Sequence, residues 1–302
     1  MATYVSTHID EAFSNAFVKH LYDNQAFIPG VTYTDAAEYG FAKEGTGVFH
    51  FIAEGDTATG DPETVGSAYT MEDNTDSDIP LYLNNQYSEQ VKIPVAAEMA
   101  TARAEALNKM EQLARKTAQR RGRSALACLL NEAKTASAPL TTTYATPAAA
   151  TIKETICDDK AKLSKVNRDA DCILVSPAVY AKILSQFGKE FGVPQNEVAA
   201  MTGMVKAWLG VNITECRALG AGAALKYINY AGTSTTFSAA NLAKVNYIMY
   251  NHNDFAIMDL MNDQRIFDSE RGPWKLCTTD LVSGFRVLRP GCILTNITAA
   301  FA

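Results

Sequence analysis

The sequence has no paired-cysteine motif, no long apolar run and no surplus of basic charge, and each absence removes a class of protein. Its six cysteines, Cys128, Cys157, Cys172, Cys216, Cys277 and Cys292, form no CxxC pair and have no histidine nearby in sequence. Neither a zinc site nor a redox motif is therefore spelled out, and the cysteines read as small apolar core residues with a disulfide as the exception. No window approaches the roughly 18 apolar residues of a membrane span. The opening MATYVSTHIDEAFSNAFVKHLY lacks a basic leader followed by an apolar stretch, so the chain is expected to fold in a cytosol. The sequons at Asn212 and Asn296 then carry little weight. A formal charge of −6 and a pI near 5.3 argue against a free-standing nucleic-acid binder, because affinity for phosphates grows with the number of basic contacts.

Catalytic signatures are also missing. The chain has no Walker lysine loop, no G-x-S-x-G elbow and no H-E-x-x-H, so no reaction of those classes is indicated. Gly220 and Gly222 follow a strand-like stretch, but Leu225 stands at the third glycine position and no acid occurs before Ile248, which defeats a dinucleotide fingerprint. His8, His20, His50 and His252 are scattered; His252 beside Asn251, Asn253 and Asp254 is a possible general base, and a loop histidine is the plainer reading. No catalytic residue, metal ligand or cofactor is assigned.

What is present is a globular composition, 47% hydrophobic and 20% charged, arranged as mixed α+β without repeats. Residues 1–30 read as a short helix and an extended arm ending at Pro29 and Gly30. Residues 31–94 read as a long hairpin or flap: GVFHFIAEG and SEQVKIPV are its strand-like ends, and the Gly-, Asp- and Thr-rich middle is too polar for a core. Residues 95–136 carry Val95, Met99, Ala102, Ala106, Met110, Leu113 and Thr117 at alternating steps of three and four. That spacing predicts one long helix of roughly 60 Å, which Gly122 could bend or divide. Residues 151–154 have the S/T-x-x-E form of a capping box, and Ile152, Ile156, Leu163 and Val166 continue with helical spacing. DCILVSPAVYAKILSQF gives a buried strand at residues 172–175, Ser176 as N-cap and Pro177 at the first helical position. MVKAWLGVNITECRAL predicts a further helix and strand. AALKYINYAG and KVNYIMYNHNDFAIMDL are β-prone, and WKLCTTDLVSGFRVLRPGCILTNI predicts two strands broken at Pro290.

Charge is divided unevenly along this order. The flap holds twelve acids against Lys43 and Lys92, a balance of −10. The helical stretch that follows holds eight bases against four acids, a balance of +4. Its run RKTAQRRGR is either a nucleic-acid contact or a solvated face paired with acids elsewhere. In NHNDFAIMDLMNDQRIFDSERGPWKL, Asp259, Asp263, Asp268 and Glu270 surround Arg265 and Arg271. Carboxylates each close to a cation lack the unpaired neighbour that moves a catalytic pKa, so these read as ion pairs; a carboxylate-dependent hydrolase is the enzymatic alternative.

The sequence of parts, arm, acidic hairpin, long helix, strand-Ser-Pro-helix and the terminal DFAIMDLMNDQRIFDSERGPWKLCTTDLVSGFRVLRPGCILTNI, resembles the major capsid proteins of tailed bacteriophages. The resemblance implies the Hong Kong 97-type capsid fold: N-terminal arm 1–30, extended loop 31–94, peripheral domain 95–170 with spine helix 95–136, axial domain 171–276 and returning peripheral strands 277–302. It implies a non-enzymatic coat protein of the virion that self-assembles, as hexamers and pentamers in the bacterial cytoplasm, into an icosahedral shell around double-stranded DNA held by weak contacts. A portal is implied as a partner, and a separate scaffolding protein is expected because no helical prodomain precedes the arm. An encapsulin-type shell around cargo protein has the same fold. Because an extended loop of this family lies over a neighbouring subunit, the interface candidates are Glu54, Asp56, Asp61 and Glu63 on the flap and Arg115, Lys116, Arg120 and Arg121 on the rod. Arg265, Asp268, Glu270 and Arg271 complete the set, where complementary charge would fix register.

Overall fold

A computed structural model describes residues 28–33, 48–53, 77–94, 102–144, 152–166, 169–190, 207–220, 222–268 and 274–301. The arm and helix expected before residue 28, and the expected capping residue Thr151, lie outside them. The architecture is α+β, as expected, and is organised by two sheets that share one long helix.

The larger sheet has six strands in the order β5 (Leu140–Thr143), β14 (Leu294–Ile297), β11 (Val245–Tyr250), β6 (Cys172–Val175), β8 (Val211–Glu215) and β7 (Ala207–Trp208). Every residue of β6 and β11 is buried, because these central strands are covered on both faces. Their alternation sorts side chains between two cores. Cys172, Leu174, Ile248 and Tyr250 join Leu126, Leu129 and Leu130 on one side. Ile173, Val175, Tyr247 and Met249 join Ile152, Ile156, Val179 and Ile183 on the other. The first group comes from helix α1 (Ala102–Thr135), the second from α2 (Ile152–Ser164) and α3 (Pro177–Glu190). The expected strand, Ser176 and Pro177-led helix are all present, whereas Val166 lies past the end of α2 and is 41% exposed. Ala207 and Trp208, expected within a helix, instead pair with Asn212 and Val211, forming a tight strand connection through the positive-φ residues Leu209 and Gly210.

The second sheet has the order β1 (Val31–Tyr33), β12 (Phe255–Asp268), β13 (Trp274–Val287) and β4 (Asn85–Pro94). The sequence at 251–276 thus forms a long strand pair, with Asp259 opposite Ser283 and Asp268 opposite Lys275. Two smaller pairs are also present among the described residues, β9 (Leu225–Ile228) with β10 (Ser234–Phe237), and β2 (Val48–Ala53) with β3 (Ser77–Tyr82). The hairpin is therefore real but closes differently from the expectation. Its return strand is SDIPLY, read from sequence as polar loop, while SEQVKIPV belongs to β4 and pairs with β13. Asn85, Tyr87 and Glu89 alternate inward along β4, and inward-facing polar residues hid that alternation. The terminal strands likewise divide, β13 in the smaller sheet and β14 in the larger.

Helix α1 is continuous for 34 residues through Gly122, about 50 Å at 1.5 Å per residue. Residues 125–133 enter the core of the larger sheet, and the preceding turns lie over the smaller sheet through Leu113, Ala114, Thr117 and Ala118. Burying a leucine is worth about 1.5–3 kcal/mol, so Leu126, Leu129 and Leu130, each at most 1% exposed, tether that end firmly. The hairpin is rooted where Leu81 and Leu83 pack with Ala256, Met258, Leu260 and Val282.

Candidate functional site

The cations expected to face a neighbouring subunit lie on α1 above β4 and β13, and the structure separates them into two layers. Arg115, Lys116, Arg120 and Arg123 are exposed, spaced along the outward face by the three- and four-residue periodicity of the helix. Beneath Lys116 and Arg120 stands Glu89 of β4. Lys116 Nζ donates to Glu89 Oε2 at 2.9 Å, and Arg120 Nη1 donates to Oε1. Arg120 also lies 6.0 Å from the Tyr87 ring centroid, within reach of a cation–π contact. Burial pushes the Glu89 carboxyl up, but hydrogen bonds and charge from Lys116 and Arg120 outweigh it, so its pKa is held below 4.5.

This depressed pKa has a direction in pH. A carboxylate whose folded pKa lies below its unfolded value contributes stability that is present above the unfolded pKa and is lost as pH falls through the folded one. The melting temperature of the chain is therefore expected to fall more steeply as pH drops below about 4.5 than that of Glu89→Gln. Parallel pH profiles of the two proteins in differential scanning calorimetry would contradict the assignment.

Arg121 departs from the expectation. It is 2% exposed, and its Nε and Nη2 donate to Asp259 Oδ1 and Oδ2 at 2.8 and 2.5 Å. Ser283 Oγ adds a 2.7 Å hydrogen bond to Oδ1. Arg121 points under the helix while Arg120 points out, a consequence of the 100° step between consecutive helical residues. It is a member of the chain's own interior and offers no surface to a neighbour. Asp259, which opened the carboxylate question, is its counter-ion, and the bidentate geometry accounts for both of its oxygens.

Of the remaining candidates, Arg265 and Asp268 lie in the outer part of β12, and Glu54, Asp56, Asp61, Glu63, Glu270 and Arg271 lie outside the described residues. A further ion pair on α1 escaped the sequence reading: Glu132 accepts from Arg286 Nη1 at 3.2 Å and from the Val287 backbone N–H at 3.0 Å. Arg286 also lies over the exposed Tyr230 ring, 4.4 Å from its centroid. Nothing in either local sequence marks Glu132 and Arg286 as partners across 154 positions.

Asp159 is a further polar hub. It is 1% exposed and accepts from Tyr247 Oη at 2.6 Å, Thr142 Oγ1 at 2.9 Å, Asn296 Nδ2 at 3.1 Å and Lys162 Nζ at 3.0 Å. These bonds join α2 to β5, β11 and β14, so the hub is structural. Asn296, the asparagine of one sequon, is buried within it. Among the described residues, Cys128, Cys172 and Cys216 are buried free thiols, as expected, whereas Cys157 is exposed. No helix among the described residues is long and apolar enough to cross a membrane.

Solved structures of similar fold include phage capsids. A cyanophage P-SCSP1u capsid structure aligns over 90% of this chain and 87% of the other, with a TM-score of 0.58 and 15% identity. The fold is therefore similar over most of both chains. The chain has a phage capsid fold. The asymmetric unit of the bacteriophage PhiM1 mature capsid aligns over 89% of this chain and 84% of the other, with a TM-score of 0.58 and 13% identity. A chain of Mycobacterium phage Che8 aligns over 86% and 88%, with a TM-score of 0.56 and 15% identity. No protein-family model matches the chain, and no curated protein matches its sequence.

Proposed function

We propose that the chain is the major capsid protein of a tailed phage, a subunit that self-assembles as hexamers and pentamers into an icosahedral head around double-stranded DNA. The observation that carries this reading is the likeness to capsid structures along nearly the whole length of both chains. A closed shell needs a repeated, register-fixed contact between copies. The exposed cations of α1 are one side of that contact in this reading, and the acids Glu54, Asp56, Asp61 and Glu63 of a neighbouring flap are the other. The outer end of the β12–β13 pair, with Arg265, Asp268, Glu270 and Arg271, supplies a second contact. Exposed pairs are worth only about 0–1 kcal/mol each, so the gain comes from repetition around the lattice.

The role is structural. A hydrolase built on the carboxylates of 259–270 loses Asp259, whose two oxygens are taken by Arg121 and Ser283. DNA is held weakly, a portal and a separate scaffolding protein are partners, and the protein resides in the virion after assembly in the host cytoplasm.

Arg115→Glu with Arg123→Glu tests the reading and leaves both Lys116 and Arg120 on Glu89. Negative-stain microscopy of the purified wild-type chain is expected to show closed shells. The double variant is expected to give at least tenfold fewer, with an unchanged circular dichroism spectrum. A wild-type chain that stays a small globular species overturns the shell. Normal shells that retain less DNA would transfer the α1 cations from the subunit contact to the genome, and wild-type shells filled with protein would favour the encapsulin-type compartment.

A further inference from the structure

We propose that Asp171, Cys172 and His252 form a binding site for a single zinc-class divalent ion, at the joint between the two sheets. This inference does not rest on the shell reading. Cys172 opens β6, and Tyr250, at the end of β11, pairs directly with it. Antiparallel pairing carries the chain beyond Tyr250 past the residues that precede Cys172. His252, in the 3-10 turn His252–Asp254, thereby meets Asp171, 81 positions earlier. No sequence motif announces the trio, which is why reading cysteines and histidines by their spacing assigned no metal ligand.

The ligand atoms of the three residues lie within 4.8 Å of one another. Asp171 Oδ1 accepts from the backbone N–H of His252 at 2.8 Å and stands 3.0 Å from Cys172 Sγ, while Oδ2 contacts His252 Nδ1. Zinc bonds of about 2.0–2.3 Å in a tetrahedron place neighbouring ligands roughly 3.5 Å apart, so the trio adopts that spacing by small side-chain rotations. One sulfur, one nitrogen and one oxygen donor suit zinc and its neighbours among the transition metals; calcium and magnesium require oxygen ligands. The backbone N–H of His252 orients the carboxylate from outside the ligand set, the usual arrangement at built metal sites. Access is graded: the side chain of His252 is 47% exposed and that of Asp171 33%, while Cys172 is buried. An ion therefore enters from the histidine side and leaves a fourth position for water.

On binding, the Cys172 thiol gives its proton to solvent and its sulfur bonds the ion as thiolate; the proton that His252 Nδ1 shares with Asp171 also leaves, so the neutral ring is protonated at Nε2 and its Nδ1 lone pair bonds the metal. The consequence is mechanical. Asn251 and the 3-10 turn are the whole connection between β11 of the larger sheet and β12 of the smaller, and Asn251 Nδ2 already ties it to the Asp169 carbonyl at 2.7 Å. A bound ion clamps that elbow to β6.

Zinc sulfate titrated calorimetrically into chelator-treated full-length protein is expected to give one ion per chain, with affinity reduced at least tenfold by His252→Ala and by Cys172→Ser. Cobalt as a spectroscopic substitute is expected to show a thiolate-to-cobalt charge-transfer band that Cys172→Ser abolishes. Because Cys172 is buried, His252→Ala carries the test where the serine variant fails to fold. Zinc affinity equal in the wild type and His252→Ala, or a cobalt spectrum without a sulfur band, overturns the site.

Discussion

Asp259→Ala is expected to destabilise the unassembled chain by about 3–5 kcal/mol, the cost of leaving a buried cation without its partner. Arg121 is 2% exposed beneath α1. Both its Nε and Nη2 donate to Asp259, and Ser283 loses its acceptor in the same step. Such a loss is comparable to the whole stability of many domains. The cost, however, belongs to the broken pair. A buried ion pair replaced by apolar side chains of similar size is often neutral or stabilising, because the desolvation of both charges disappears with them. Asp259→Leu with Arg121→Met is therefore expected to recover most of the loss, giving a strongly favourable coupling in a double-mutant cycle read by urea unfolding. A single variant within about 1 kcal/mol of wild type would mean that Arg121 reaches solvent, and would return it to the set of surface candidates.

Gly284→Val is expected to abolish formation of the proposed shell while leaving the larger sheet folded. A Cβ at Gly284 would stand 2.6 Å from the Tyr82 carbonyl oxygen and 2.8 Å from Leu81 Cδ2. The backbone carbonyl cannot swing aside as a flexible side chain would, so the end of β3 must lift off β13. Leu81 is fully buried among Met258, Leu260 and Val282, and overpacking of this kind typically costs about 1–3 kcal/mol. That is too little to unfold the larger core, whose strands β6 and β11 do not touch the site. The hairpin root is redirected instead, and with it the flap that reaches a neighbour in the proposed shell. Thermal unfolding and negative-stain microscopy on the same preparation separate the effects: a cooperative transition with no shells is the expected pair, and normal shells would show that the root tolerates displacement.

Elements whose burial follows a simple period were legible from sequence. The all-apolar β6 followed by Ser176 and Pro177, the buried stripe positions Leu113 and Thr117 on α1, and β11 appear where the pattern put them, while Val95 and Met99 of that stripe lie outside the described residues. Legibility ended where polar side chains face inward. Asn85 and Glu89 occupy buried positions on β4 because Ile228 and the α1 cations satisfy them, and neither partner is close in sequence. That is why β4 was read as the hairpin's own return strand. The same limit governed the charges. Arg120 and Arg121 are adjacent and chemically alike, yet one is half exposed and the other enclosed; only the helix phase relative to β13 distinguishes them. His252 and Cys172 meet through strand register alone.

The single helix shared by both sheets acts as a lever arm. Its C-terminal part is fixed in the larger core, and its N-terminal part extends over β4 and β13. Over the roughly 35 Å of rod between Leu126 and Ala102, a tilt of about 5° at the fixed end sweeps the far end by about 3 Å. Small adjustments at Leu126 and Leu129 thus move Lys116 by about 1 Å and the first turn of the helix by about 3 Å, so in the proposed shell one fold can meet neighbours at slightly different angles without refolding.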